Sequence, residues 1–302
     1  RAAGDLGRAI PLFEQTLTDA ERVLGADHPS SLTSRNNLAY AYSAAGDLGR
    51  AIPLFEQTLT DRVRVLGADH PDTLASRNNL AYAYSAAGDL GRAIPLYEQT
   101  LIDRVRVLGA DHPDTLASRN NLAYAYDSAG ELGRAIPLYE QTLIDRVRVL
   151  GADHPSSLTS RNNLAYAYDS AGELGRAIPL YEQTLTDRVR VLGADHPSSL
   201  ASRNNLAYAY DSAGELGRAI PLYEQTLTDA ERVLGADHPD TLASRNNLAY
   251  AYRAAGDLGR AVPLFEQTLT DAERVLSPDH PMIAVLRANM ERARSTSDPD
   301  AG

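Results

Sequence analysis

His28-Pro29-Ser30-Ser31-Leu32-Thr33-Ser34-Arg35-Asn36-Asn37-Leu38-Ala39-Tyr40-Ala41-Tyr42 opens a stretch that runs through Gly46-Asp47 and Ile52-Pro53-Leu54-Phe55 to Gly67-Ala68-Asp69, then starts again at His70-Pro71. The His-Pro pair returns at His112-Pro113, His154-Pro155, His196-Pro197, His238-Pro239 and His280-Pro281, always after 42 residues. A fixed period of this size marks a stacked repeat array, in which each unit is one supersecondary element. Such an array offers the same side chains at every step, whereas catalysis needs one asymmetric constellation.

Within one unit, Pro29 suits the first helical position, where its missing N–H costs nothing. Leu38 and Tyr42 lie four residues apart on one face, with small Ala39 and Ala45 beside them, a pattern for close helix packing. Gly46 supplies a helix end. A second helix, roughly Leu48 to Leu66, places Ile52, Phe55, Leu59, Val63 and Leu66 at three- and four-residue steps. Pro53 falls in its second turn, where a slight bend is expected and not a break. Gly67 closes it.

The expected organisation is a single array over residues 1–294 with fourteen helices and no strands. Residues 1–27 are an unpartnered second helix of a truncated repeat, 28–279 are six full 42-residue units, and 280–294 are a C-terminal capping helix. In that last helix Arg292 and Arg294 stand where Tyr40 and Tyr42 stand in the first unit, so the packing face has become charged, as at the end of a solenoid. Residues 295–302 lack apolar periodicity and read as a disordered tail. The chain begins in mid-repeat, and Ile10, Phe13 and Leu17 would be partly uncovered there. That patch is expected to favour homo-oligomer contacts.

Composition narrows the function. The net charge is −11, every basic side chain is Arg, and there is no Cys. The acidic balance argues against nucleic acid, and no apolar run approaches the ~20 residues of a membrane span. Without Lys no Gly-x-x-x-x-Gly-Lys phosphate loop exists. Without Cys there is no thiolate metal site or Cys nucleophile. Equivalent histidines on stacked helices are held about 8–10 Å apart, too far to converge on one metal ion. No catalytic residue, cofactor or metal is expected, and the chain reads as a non-enzyme.

Leu38-Ala39, Tyr42, Gly46, Ala51 and Phe55 resemble the small-and-aromatic signature of tetratricopeptide repeats. The period, and the string from Arg35-Asn36-Asn37-Leu38-Ala39 to Val65-Leu66-Gly67-Ala68-Asp69-His70-Pro71, resembles the longer subclass found in kinesin light chains. The resemblance implies an all-α, right-handed superhelical solenoid of antiparallel helix pairs, a general-purpose binding scaffold. One departure is Arg35, with Arg77, Arg119, Arg161, Arg203 and Arg245, where that subclass has an apolar residue. Its stem would pack along the helices while its head reaches a carboxylate such as Glu56 or Asp61.

Two further traits bear on origin. Residues 130–171 and 172–213 differ only at Ile144/Thr186 and Thr159/Ala201, which suggests recent duplication. Absence of Lys with heavy use of Ala, Gly and Arg suggests a GC-rich, actinobacterial-type source. Arrays of this kind resemble the C-terminal sensor or oligomerisation arms of larger bacterial signal-transducing NTPases, which is the alternative reading of function. A cytoplasmic location goes with either reading.

By the same resemblance, first helices line a concave groove, and the groove-facing set is Thr33, Asn36, Tyr40 and Ser43, one helical face turned away from Leu38 and Tyr42. Its copies give Asn36, Asn78, Asn120, Asn162, Asn204 and Asn246 beside Tyr40, Tyr82, Tyr124, Tyr166, Tyr208 and Tyr250. Asn amides both donate to and accept from a peptide backbone, and Tyr offers a stiff contact surface with a polar tip. The competing reading has the tyrosines packed on neighbouring helices and the Asn bonded along the array as support. At the fourth position Asp127, Asp169 and Asp211 make an acidic stretch. It is either a solvated face or a preference for a basic or N-terminal segment of a protein or peptide partner. The tyrosines should then divide, with Tyr42 and its copies buried and Tyr40 and its copies exposed.

Overall fold

The computed structural model describes residues 3–276 and 280–295, and it carries fourteen helices with no strand among the described residues. They are α1 (Ala3–Leu24), α2 (Pro29–Ala44), α3 (Leu48–Leu66), α4 (Pro71–Ala86), α5 (Leu90–Leu108), α6 (Pro113–Ser128) and α7 (Leu132–Leu150). Then follow α8 (Pro155–Ser170), α9 (Leu174–Leu192), α10 (Pro197–Ser212), α11 (Leu216–Leu234), α12 (Pro239–Ala254), α13 (Leu258–Val275) and α14 (Pro281–Ser295). The expected tail, apart from Ser295 as the last helical residue, lies outside the described residues.

The helices group into two units, Arg1–Leu150 and Gly151–Gly302. In each, every helix packs on the next in sequence, and first-type helices of neighbouring repeats also meet, as α2 meets α4 and α10 meets α12.

The histidines explain the helix starts. The Nδ1 of His28 accepts the N–H of Ser30 at 3.1 Å, and every other histidine repeats this, ending with His280 and the N–H of Met282 at 3.2 Å. Each imidazole thus satisfies one of the free N–H groups of a helix N-terminus, the role usually taken by Ser or Asp. The second helices start on Asp47, whose carboxylate accepts the N–H of Arg50 at 3.1 Å. They end on Gly67, whose φ of 92° is open to glycine and strained for a residue with a Cβ. Helix α3 runs unbroken through Pro53. The carbonyl deprived of its donor belongs to Gly49, which is exposed and so open to solvent.

Small residues set the helix spacing. Ala39, Ala51, Ala81 and Ala93 are fully buried, and Leu32, Phe55 and Leu74 fill the space between them at 1% exposure or less. First-type helices bury more than one face because they are flanked on both sides, and this is where the arginine ladder lies. Arg35 is buried, and its guanidinium donates to Asp61 at 2.6 Å and to Glu21 at 2.7 Å. Arg77, Arg203 and Arg245 repeat the bond to Asp103, Asp229 and Asp271. Of the two partners expected for Arg35, Asp61 is correct and Glu56 is not. Glu56 faces the following first-type helix and accepts the Tyr84 hydroxyl instead.

Candidate binding face

Solvent reaches the candidate face of the first helices unevenly. Thr33 and Tyr40 are exposed, and Asn36 and Ser43 are half-buried. Tyr40, Tyr82 and Tyr124 in the first unit, and Tyr166, Tyr208 and Tyr250 in the second, are 42–58% exposed. Tyr42, Tyr84, Tyr126, Tyr168, Tyr210 and Tyr252 are 3–7% exposed. Two positions along a helix turn a side chain through about 200°, which places one tyrosine in the core and the other in water.

The buried tyrosine has a fixed setting. The Tyr84 hydroxyl donates to Glu56, and the Arg92 guanidinium stacks 4.2 Å from the ring centroid. Burial, then the bond to Glu56 and its charge, raise the Tyr84 phenol above its usual range. Arg294 holds this place in α14 and reaches Glu266 at 2.6 Å, so the terminal charge substitutes for the tyrosine's bond. In contrast, Phe13 in α1 stays half-buried where Phe55 in α3 is 1% exposed.

The asparagines form a ladder. Asn79 Nδ2 donates to Asn36 Oδ1 at 3.2 Å and Asn121 to Asn78 at 3.1 Å in the first unit. Asn205 to Asn162, Asn247 to Asn204 and Asn289 to Asn246 follow in the second at 3.0–3.2 Å. The partner is always the second Asn of the next repeat. The side-chain carbonyls of these first asparagines are thus engaged along the array, as the supporting reading holds.

Asp127, Asp169 and Asp211 are half-buried, which departs from a plainly solvated acidic face. The Oδ2 atoms of Asp127 and Asp169 are buried without a hydrogen-bond partner. Burial raises all three carboxyls above the usual carboxylate range. They also sit in the last turn of their helices, where the backbone presents its negative end.

Two clefts open on this face in the second unit. One, of about 360 Å³, is lined by Tyr208, Asp211, Tyr223, Asn246, Asn247 and Tyr250, with Ser212 at its edge. The other, of about 380 Å³, has Tyr166, Asp169, Ser170, Tyr208 and Ser212 among its walls. Tyr208 and Ser212 line both. Tyr223 and Asn247 were not foreseen as site residues. The available signal was that Tyr97, Tyr139, Tyr181 and Tyr223 replace Phe55 and Phe265 at one core position. Burial foremost, then Asp211, push the Tyr223 phenol far above its usual range. Among the described residues no group of three or more His, Asp or Glu could hold a metal ion, and no helix is long and apolar enough to cross a membrane.

The family model described as Tetratricopeptide repeat matches residues 1–30, 31–72, 73–114, 115–156 and 157–198, and a second of the same description matches 213–274. The chain belongs to the tetratricopeptide repeat proteins. Among solved structures it is similar to a Podosopora anserina protein assigned to the kinesin light chains, with nearly identical TPR-like repeats. That protein is 36% identical, with 68% of this chain and 97% of that one covered and a TM-score of 0.60. BtubC (BKLC) from P. vanneervenii shares the fold at 24% identity, 77% and 94% coverage and a TM-score of 0.63. So does a tetratricopeptide repeat protein from Parabacteroides merdae, at 16% identity, 96% and 93% coverage and a TM-score of 0.65. No curated protein matches the chain. The array is therefore of the kinesin-light-chain-like kind, and tetratricopeptide repeat proteins are in general protein-interaction scaffolds.

Proposed function

We propose that the chain is a non-catalytic scaffold that holds an extended protein segment against the exposed Asn/Tyr/Asp face of its first helices. The observation that carries this is the solvent-facing set of tyrosines. Six large rings stand 42–58% exposed, one per repeat, on the face that also holds the clefts. An aromatic residue left in water at every step, two positions from one that is buried, is a surface available to a partner. The Asn ladder lowers the share of recognition carried by Asn162, Asn204 and Asn246 carbonyls and leaves their side-chain N–H groups as what they can offer. The acidic residues Asp169 and Asp211 supply polar anchors in the clefts.

A peptide library panned on the intact chain tests this, with Tyr166→Ala, Tyr208→Ala and Tyr250→Ala combined as the control. Removing contact aromatics costs about 2 kcal/mol each where they anchor a partner, so selected peptides should weaken at least about thirtyfold. The helical signal and Tm should stay unchanged, because these rings contribute little to the core. Peptides that bind the triple variant as well as the parent would overturn the assignment of this face.

A further inference from the structure

The clefts around Asp169 and Asp211 contain an unbalanced charge. The buried carboxylates of the second unit meet arginine: Asp187 has Arg161 at 2.6 Å and Arg190 at 3.1 Å, and Asp229 has Arg203 at 2.6 Å and Arg232 at 3.1 Å. Asp169 and Asp211 have no ion pair of this kind, and Asp169 buries an oxygen that accepts nothing. Their neighbours are Tyr166, Tyr208, serines, Gly172 and Leu174 in the Asp169 cleft, and tyrosines, Ser212 and two asparagines in the Asp211 cleft. A carboxylate withdrawn from water beside aromatic walls is the environment in which a guanidinium gains most, through paired hydrogen bonds to the carboxylate and stacking on the ring. The end of the helix adds attraction for a positive charge.

The chain itself contains the fitting group one repeat further on. At the position equivalent to Asp211, α12 carries Arg253, whose guanidinium lies 4.6 Å from the centroid of the exposed Tyr250 ring. A guanidinium brought to this register thus rests on the tyrosine of the face. In the two repeats before it the register holds a carboxylate, and the cation would have to come from outside.

We propose that Asp169 and Asp211 each receive one arginine side chain of a partner protein, the first between Tyr166 and Tyr208 and the second between Tyr208 and Tyr250. This rests on the reading of the face as a protein-binding surface and names the chemistry it selects. The register follows from the fold. Helices α8 and α10 are direct neighbours, joined by the Asn205–Asn162 bond of 3.1 Å. Packed helix axes are about 8–10 Å apart, and a chain in the extended polyproline II form advances about 3.1 Å per residue and brings every third side chain to the same side. Two arginines three positions apart therefore match the two clefts.

The test uses fluorescein-labelled peptides of Ser and Gly that carry two arginines three positions apart, titrated into the intact chain by fluorescence anisotropy. Companion peptides place the arginines adjacent, or replace both by neutral citrulline. The spaced-arginine peptide should bind at least about tenfold tighter than either companion, and added salt should weaken it. Asp169→Asn and Asp211→Asn should each reduce that affinity about tenfold, whereas Asp240→Asn, which removes the same charge from an exposed site elsewhere, should not. Both Asn variants should melt no lower than the parent, which separates lost binding from lost folding. Equal affinity for arginine and citrulline peptides, or indifference to both Asp changes, overturns the proposal. If library peptides of another chemistry bind and remain sensitive to Tyr208→Ala, the arginine assignment alone falls. If no peptide of any class responds to Tyr208→Ala, the scaffold reading of this face falls with it.

Discussion

Asp211 shows how one side chain can work against the fold that carries it. It is half-buried, burial raises its carboxyl above the usual range, and it occupies the last turn of α10. A carboxyl whose pKa is higher in the folded than in the unfolded state destabilises the fold in its charged form. That cost is complete above the folded pKa and fades as pH falls through it. Asp211→Asn should therefore raise Tm at neutral pH, and the difference from the parent should shrink as the buffer is taken down through the carboxylate range. A variant that melts lower than the parent at neutral pH would show that Asp211 has a stabilising partner in the folded chain. His28 and its copies are the opposite case: each pairs with a helix N-terminus and stabilises its own element.

At the scale of the element, the repeats differ in how their second helices begin. Asp47, Asp89 and Asp257 cap α3, α5 and α13 by accepting the N–H three residues on, at 3.1 Å. Glu173 and Glu215 stand at the same place before α9 and α11 and make no such bond. Their backbones are close to that of Asp47, with φ of −84° and −85° against −84°, so the shorter side chain should fit without rearrangement. Glu173→Asp and Glu215→Asp should each stabilise by about 0.5–1 kcal/mol, as recovered caps do, measured by urea denaturation. Asp47→Glu should lose a similar amount. No gain in the double variant would mean that the ion pairs of Glu173 with Arg176 and Glu215 with Arg218 already offset the missing cap.

The same units trade charge between second helices. Arg62 is buried in α3 and donates to the Asp72 carbonyl at 2.9 Å, Ser76 Oγ at 2.9 Å and Thr33 Oγ1 at 3.1 Å. In α1 and α11 the Arg-Val pair becomes Ala20-Glu21 and Ala230-Glu231, and the glutamate bonds the ladder arginine instead. One buried cation disappears and one anion appears, so the ladder arginine gains a second carboxylate.

For the whole molecule, the acid limb of stability follows from the ladder. Burial opposes the charge of Asp187 and Asp229, but hydrogen bonds from Gln183, Arg161 and Arg190, and from Gln225, Arg203 and Arg232, outweigh it and hold both carboxyls at about 2. Asp103, Asp145 and Asp271 are lowered in the same balance. A depressed carboxyl contributes stability that is present above its unfolded pKa and is lost as pH falls through the folded one. Tm should therefore decline as pH drops from about 4 toward about 2, followed by circular dichroism melts across that window. The relief at Asp127, Asp169 and Asp211 acts in the other direction but involves fewer groups. A Tm that holds or rises through this window would show that the ladder carries no net stabilisation.

Local rules were enough to place the helices. Pro after His, Gly at the ends and the three- and four-residue apolar steps act within a few residues, so α3 starts and ends where its pattern does. The division of the tyrosines was equally legible, since helical rotation alone separates Tyr40 from Tyr42. What came from tertiary structure was lateral. Asn36 meets the second Asn of the next repeat, Glu56 turns to Tyr84 and away from Arg35, and Asp169 is half-buried in a cleft lined by tyrosines of neighbouring helices. Those outcomes depend on how far one helix is shifted along its neighbour and on which groups the shift leaves dry. Periodicity along the chain carries the direction of each side chain from its own axis, and only packing between helices decides what stands opposite.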